Sequence, residues 1–94
     1  MILTFQLVKP ETVPEERLFA LMHRARQIAI ELDGVYDLAL YQTERPTIWQ
    51  CSIDPEDELS WNLLQDDLRF REVCQALKRL GVSITLENQL ERQI

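Results

Sequence analysis

Residues 49–70, WQCSIDPEDELSWNLLQDDLRF, decide the fold, because they contain a strand, a helix start and a change of helical face. The first part alternates, with Trp49, Cys51 and Ile53 on one side, as expected of a strand with one buried face. Residues 54–57 then place a proline and acidic side chains where a helix begins. The stretch therefore predicts a strand that leads directly into a helical region.

The apolar residues of that helical region fall on two different faces. The first stripe comprises Leu59, Leu63, Phe70, Val73, Cys74, Leu77 and Leu80, and the second comprises Trp61, Leu64 and Leu68. One straight helix would have to bury two distant sides. We therefore expect a break near residues 65–67, with Asp67 capping a second helix and Gly81 ending it.

Three more strands and one helix are predicted outside this stretch. Residues 2–8, 35–42 and 82–86 alternate as strands do, and the strand of the quoted stretch covers residues 47–53. Pro14 suits the first turn of a helix whose apolar stripe runs to Leu32. The stripe comprises Leu18, Leu21, Met22, Ala25, Ile28, Ala29 and Leu32.

The element order of strand, helix, strand, strand, helix, strand predicts an α+β domain over residues 1–94. Right-handed crossovers on interleaved strands place both helices on one face, which gives the ferredoxin-like βαββαβ fold with a four-stranded antiparallel sheet. The alternation predicts a fully apolar helix-covered face. That face comprises Leu3, Phe5, Leu7, Tyr36, Leu38, Leu40, Trp49, Cys51, Ile53, Val82, Ile84 and Leu86.

The opposite face of the predicted sheet mixes apolar and polar residues. It comprises Ile2, Thr4, Gln6, Val8, Val35, Asp37, Ala39, Tyr41, Ile48, Gln50, Ser52, Ser83, Thr85 and Glu87. Such a face suits packing against a second copy of the chain around a partly polar cavity. It equally suits an amphipathic sheet that stays half in water, and the pattern does not choose between the two.

Composition and charge exclude several classes of function. The chain has 94 residues and a net charge of −6, which argues against nucleic-acid and anionic-membrane partners. It has no apolar run long enough for a membrane span and no basic, apolar signal sequence at its start, so we expect a cytoplasmic protein. The two cysteines, Cys51 and Cys74, are expected to be reduced core thiols.

The strand, short helix, break and second helix of residues 49–70 resemble those of the dimeric α+β barrel superfamily, the antibiotic-biosynthesis-monooxygenase-like proteins. Phe70 matches a phenylalanine that follows the break in that family. The resemblance implies a homodimer in which two four-stranded sheets face each other through the mixed face. It also implies that the C-terminal strand reaches over the partner, with Leu86, Leu90 and Ile94 in that role; a frayed polar tail over residues 87–94 is the other interpretation.

The residues of the mixed face supply the candidate site. Asp37 and Tyr41 are the candidate catalytic residues, because an enclosed carboxylate with a raised pKa can act as a base. The candidate ligand-binding residues are Thr4, Gln6, Gln50, Thr85, Glu87 and Trp61. For Asp37 and Glu87, the alternative is a solvent-facing charge near the sheet edge. The single histidine, His23, falls on the polar side of the first helix, so no metal site and no cofactor is predicted.

Three functions remain open from the sequence. The first is a homodimer that binds a small hydrophobic ligand or a protein partner, since no catalytic signature is present. The second is a cofactor-independent monooxygenase-like enzyme with its site inside the barrel, as the resemblance implies. The third is a monomeric ferredoxin-like module within a larger assembly.

Overall fold

A computed structural model describes the backbone of residues 1–90 and the side chains of residues 1–87. Its elements are β1 (Ile2–Val8), α1 (Glu15–Glu31), β2 (Val35–Gln42), β3 (Ile48–Pro55), α2 (Glu58–Asp66), α3 (Leu68–Arg79) and β4 (Ser83–Leu90). The strands form one antiparallel sheet in the order β2-β3-β1-β4. The predicted ferredoxin-like α+β class is confirmed. In the described part of the chain, no helix is long and apolar enough to cross a membrane.

All three helices pack on one face of the sheet, where the core forms. Sheet and helix side chains bury each other in this layer, as the alternating and helical apolar patterns require. The core comprises Leu7, Leu38, Trp49, Cys51 and Ile53 from the strands, Leu18, Met22, Ala25, Ile28, Ala29, Leu64, Phe70, Val73 and Leu77 from the helices, and Val35 and Val82 at strand ends. The opposite face, which we call the open face, is not covered by any described element.

The link between α1 and β2 depends on a glycine for two separate reasons. Gly34 has φ +87°, a left-handed conformation that disfavours other residues. A side chain at this position would also collide with Ser60 in the first turn of α2. Gly34 therefore allows the chain to turn from α1 into β2, and it leaves room for α2 to approach the start of β2.

The helical region breaks at Asp67, within the range that the two apolar stripes predicted. Asp67 caps α3, and its carboxylate accepts hydrogen bonds from the backbone N–H groups of Arg69 (2.9 Å) and Phe70 (3.3 Å). The Arg69 guanidinium pairs with Asp67 and also with Glu31 at the end of α1, at 2.8 Å. The predicted break and cap are confirmed, and they join the start of α3 to the end of α1.

The predicted buried face of α2 was wrong. Leu59 and Leu63 were placed in the same stripe as Phe70, but they are 67% and 53% exposed. Ser60 and Leu64 face the core instead. Since the break at Asp67 frees α2 from the helical phase of α3, α2 buries Leu64 and leaves Leu59 and Leu63 in water. Leu68, the last member of the second stripe, belongs to α3 and is 73% exposed.

The inward and outward positions at the start of β2 were also wrong. Val35, predicted on the open face, belongs to the core, whereas Tyr36, predicted in the core, is 55% exposed. The register with β3 shifts between Val35 and Asp37, so Tyr36 is an extra residue in the ladder. A bulge of this kind reverses the alternation on one side of it.

The last strand is longer than predicted. It extends to Leu90 instead of residue 86, and its register with β1 shifts at Glu87. Leu86 shares a register position with Phe5 on the helix side, yet it is half exposed. Ile94 and the side chain of Leu90 lie outside the described residues, so their predicted contact with a partner is not tested.

The cap at Asp67 generates a prediction about stability and pH. Hydrogen bonds from the Arg69 side chain hold the pKa of Asp67 below its ordinary value. The charged cap therefore stabilises the fold above the ordinary aspartate pKa, and this stabilisation is lost as the pH falls through the lowered folded-state value. We expect Asp67→Ala to lower the melting temperature at pH 7 by about 4–8 °C, a typical effect of losing a helix cap in a domain of this size.

The matched control is Asp66→Ala, which removes an adjacent carboxylate that makes only an exposed ion pair with Arg71. Thermal unfolding followed by circular dichroism measures both variants at pH 7 and in acid. The deficit of Asp67→Ala should shrink once Asp67 is protonated in the parent protein. Equal melting temperatures for the two variants at pH 7 would contradict the capping role.

Candidate ligand-binding site

A small apolar cavity lies between the sheet and the helices. Its volume is about 80 Å³. Strands β1–β4 supply one wall and helices α1–α3 supply the others. The lining comprises Phe5, Leu7, Met22, Ala25, Leu38, Cys51, Ile53, Trp61, Phe70, Val73, Cys74, Leu77 and Ile84. Among the described residues, none that lines the cavity carries a carboxylate or an imidazole.

Two aromatic side chains lie where this cavity meets the surface. Phe5 comes from β1 and Trp61 from α2, and their ring centroids are 5.8 Å apart with a tilt of 43°. Both are only partly buried. Trp61 takes this position because α2 turns Leu64 into the core, which leaves the residue three places earlier beside Phe5.

A larger groove continues outward from the aromatic pair. It has a volume of about 490 Å³ and shares Phe5, Trp61, Phe70, Cys74 and Ile84 with the cavity. Its remaining lining residues are polar: Gln65 from α2 and Arg71, Gln75 and Lys78 from α3. The cavity and the groove together form one candidate site, with an apolar inner end and a polar mouth.

The two thiols in the site are not activated as nucleophiles. Burial raises the pKa of Cys51 to about 12, and the neighbouring Cys74 adds to the rise. Burial also raises the pKa of Cys74, while the positive charge of Lys78 opposes that rise. Both cysteines are free, and at neutral pH both stay protonated, so they act as small apolar wall residues.

Most of the site residues predicted from the sequence lie on the open face, away from this cavity. The register aligns Thr85, Gln6, Gln50 and Tyr41 in one row across the four strands. Thr4 and Ser52 form the neighbouring row in one direction along the strands. Val8 and Ile48 form the neighbouring row in the other direction, on the same face of the sheet. The sheet therefore brings the polar residues together in a central band, with apolar neighbours beside them.

The two predicted acidic residues do not join that band. Asp37 lies on the edge strand β2 beside the bulge, and its carboxylate is 3.4 Å from the Arg26 guanidinium of α1, with both side chains about half exposed. Glu87 is exposed at the irregular position of β4. Trp61 is separated from all of them by the sheet, because it lines the cavity on the helix side.

A second groove lies between α1 and the β2–β3 edge. Phe19, His23 and Arg26 from α1 face Gln42 and Trp49 across it. Phe19 packs edge-on against Trp49, with ring centroids 5.2 Å apart, and the buried indole N–H of Trp49 has no hydrogen-bond partner among the described residues. His23 is exposed at this groove, and residues 1–90 contain no group of three or more side chains that would hold a metal ion.

The sequence interpretation missed the polar mouth of the cavity. Arg71, Gln75 and Lys78 are spaced so that they fall on one face of α3, next to the apolar stripe that contains Cys74. That spacing was a readable signal, but nothing in it shows that the neighbouring helix turns away and leaves a groove. The spacing of these residues indicates a groove only when the separation of α2 from α3 at Asp67 is known.

Comparison with solved structures confirms the resemblance at the level of the fold. A cofactor-independent oxygenase from Streptomyces nogalater, SnoaB, matches with a TM-score of 0.79 and 10% identity over 97% of this chain and 93% of that one. A candidate antibiotic biosynthesis monooxygenase from Deinococcus radiodurans matches with a TM-score of 0.78 and 15% identity over 100% and 97%. A possible oxidoreductase of unknown function from Bacteroides thetaiotaomicron matches with a TM-score of 0.82 and 11% identity over 92% and 90%.

The fold is therefore that of the antibiotic-biosynthesis-monooxygenase-like proteins. No protein-family model matches the chain, and no curated protein matches it.

Proposed function

We propose that this chain is a homodimeric binding protein for a small hydrophobic ligand, which enters the cavity between the helices and the sheet past Phe5 and Trp61. The observation that carries the proposal is the continuity of an apolar cavity with a groove through one aromatic pair. Apolar pockets with a few polar groups at one end are typical of small-molecule sites. Aromatic rings at the junction offer flat surfaces for stacking a planar ligand.

The volumes limit the shape of the ligand. The cavity, at about 80 Å³, is smaller than a cavity of ~150 Å³ that holds benzene. A ligand therefore places only an apolar end in the cavity, and the rest of it lies along the groove of about 490 Å³. The proposal thus favours an elongated or bicyclic ligand over a compact one.

A cavity-filling substitution tests this proposal. The probe is 1-naphthalenemethanol, an uncharged bicyclic compound, and isothermal titration calorimetry measures its affinity. We expect Cys74→Phe to weaken binding at least about tenfold, because the larger side chain occupies the space that the ligand needs. Circular dichroism checks that the variant is folded.

The control is Gln50→Ala, which changes the centre of the open face and leaves the cavity intact. Binding by this variant should equal that of the parent protein. If Gln50→Ala weakens binding and Cys74→Phe does not, the ligand lies on the open face and the proposed location is wrong.

Support for the proposed homodimer comes from the apolar residues of the open face. Val8 and Ile48 lie side by side on the two central strands, with Tyr41 nearby on β2. Val8 and Tyr41 are 38% and 55% exposed in the single chain. A second copy seated on this face would cover these apolar groups and enclose the polar row of Gln6 and Gln50, as the fold resemblance implies.

A charge placed on this face should separate the copies. Val8→Asp puts a carboxylate among apolar groups at the proposed interface, where it would be desolvated without a partner. Light scattering coupled to gel filtration should change from twice the chain mass to a single species of 11.1 kDa. Leu68→Asp, at an exposed apolar residue of α3, is the control and should stay dimeric. A parent protein that is already monomeric at micromolar concentration would overturn this part of the proposal.

A second candidate function is cofactor-independent oxygenation, favoured by the likeness to SnoaB over nearly the whole chain. We rank this candidate second because of the residues that line the cavity. Such a reaction needs a base that removes a proton from the substrate, and among the described residues the cavity offers only thiols with raised pKa values. Asp37 and Tyr41 remain the proposed catalytic residues if the reaction takes place between the two copies.

Dioxygen uptake tests this candidate. With 1,4-naphthalenediol as substrate, one atom of dioxygen enters the ring and the other leaves as water, which yields 2-hydroxy-1,4-naphthoquinone. An oxygen electrode should record uptake above the rate without protein. A rate loss in Tyr41→Phe or Asp37→Ala would place the reaction on the open face, whereas a loss only in Cys74→Phe would place it in the cavity. Uptake equal to the uncatalysed rate removes the candidate.

A further inference from the structure

We propose that the ligand of the cavity carries an acidic group, which Lys78 binds at the mouth with support from Arg71, while its apolar body lies past Phe5 and Trp61. This inference rests on the proposed function, and it names the chemical class of the ligand as a hydrophobic or aromatic carboxylic acid.

The mouth of the cavity is lined by positively charged side chains, whereas the chain as a whole has a negative net charge. The chain has 16 acidic residues and 10 basic ones. Within the described residues, the groove is nevertheless lined by two cations and two amides and by no carboxylate. The mouth therefore offers hydrogen-bond donors and positive charge directly beside an apolar cavity, which is the arrangement that recognises an amphipathic anion.

Lys78 is the cation best placed to bind the ligand. Across the described side chains, its ammonium makes no hydrogen bond and no ion pair, so its three donors are available. It lies one turn after Cys74, which lines both the cavity and the groove. Its charge also acts on the Cys74 thiol, which is consistent with a position close to the inner end of the groove.

Arg71 lies about two turns before Lys78, on the same face of α3. Its Nε donates to the backbone oxygen of Gln65 at 2.9 Å, and its Nη2 donates to Asp66 at 3.2 Å. Two of the five donors of the guanidinium are used, and the ion pair with Asp66 is exposed and contributes little. Arg71 therefore keeps its position through Gln65 and still has donors for a ligand.

Gln75 lies between the two cations on the same helical face. Residues 71 and 78 are separated by about 10 Å along a helix axis. A ligand whose carboxylate meets Lys78 thus has its body directed toward Cys74 and the aromatic pair.

A pair of probes with the same ring system tests the inference. 1-Naphthoate and 1-naphthalenemethanol differ mainly in charge, and isothermal titration calorimetry compares their affinities. We expect the parent protein to bind 1-naphthoate about five- to tenfold more tightly at low salt, a typical gain for a partly exposed charge-assisted contact. Lys78→Gln should abolish this preference, so that the ratio of the two affinities falls to about one.

Arg79→Gln is the matched control, because it makes the same change in net charge one residue further along α3 and does not line the groove. It should retain the preference for 1-naphthoate. Equal affinities for the two probes in the parent protein, or an equal loss of preference in Lys78→Gln and Arg79→Gln, would overturn the inference while ligand binding stands. Binding of neither probe would instead overturn the proposed function.

Discussion

The structure depends on one constraint: Leu64 and Phe70, which would point to different sides of one uninterrupted helix, must both reach the same face of one sheet. The chain meets it by breaking the helix at Asp67, whose carboxylate caps the new helix through Arg69 and Phe70. After the break, Leu64 and Phe70 both face the core. The break also places Trp61 next to Phe5, where the cavity meets the surface.

The chemistry of the site follows from which groups this arrangement brings together. Among the described residues, those that line the inner cavity are apolar side chains and two protonated thiols, and none of them would act as a base or a nucleophile. The polar groups of α3 lie outside the aromatic pair, at the mouth. In the proposed function, recognition is therefore divided between an apolar inner end and a charged outer end.

Features that depend on a few neighbouring residues could be predicted from the sequence. The cap at Asp67, the ends of β1 and β2 and the left-handed Gly81 after α3 are local, because each is dictated by neighbouring residues. The inward position of Val35 could not be predicted, because a bulge at Tyr36 changes the alternation without changing the composition. The choice between Leu63 and Leu64 as the buried residue of α2 depends on a rotation set by packing, which the helical pattern alone does not specify. The site was the least predictable feature: the polar residues of the open face drew attention, whereas a cavity is a small difference between large packed volumes that no residue pattern encodes.

The location of the ligand is the claim that the whole account depends on, and an NMR structure of the complex with 1-naphthoate measures it most directly. The account predicts nuclear Overhauser contacts from the naphthalene protons to Phe5, Trp61 and Ile84, on the helix side of the sheet. Contacts to Gln6, Gln50 and Tyr41 would place the ligand between two copies on the open face, and they would contradict the account.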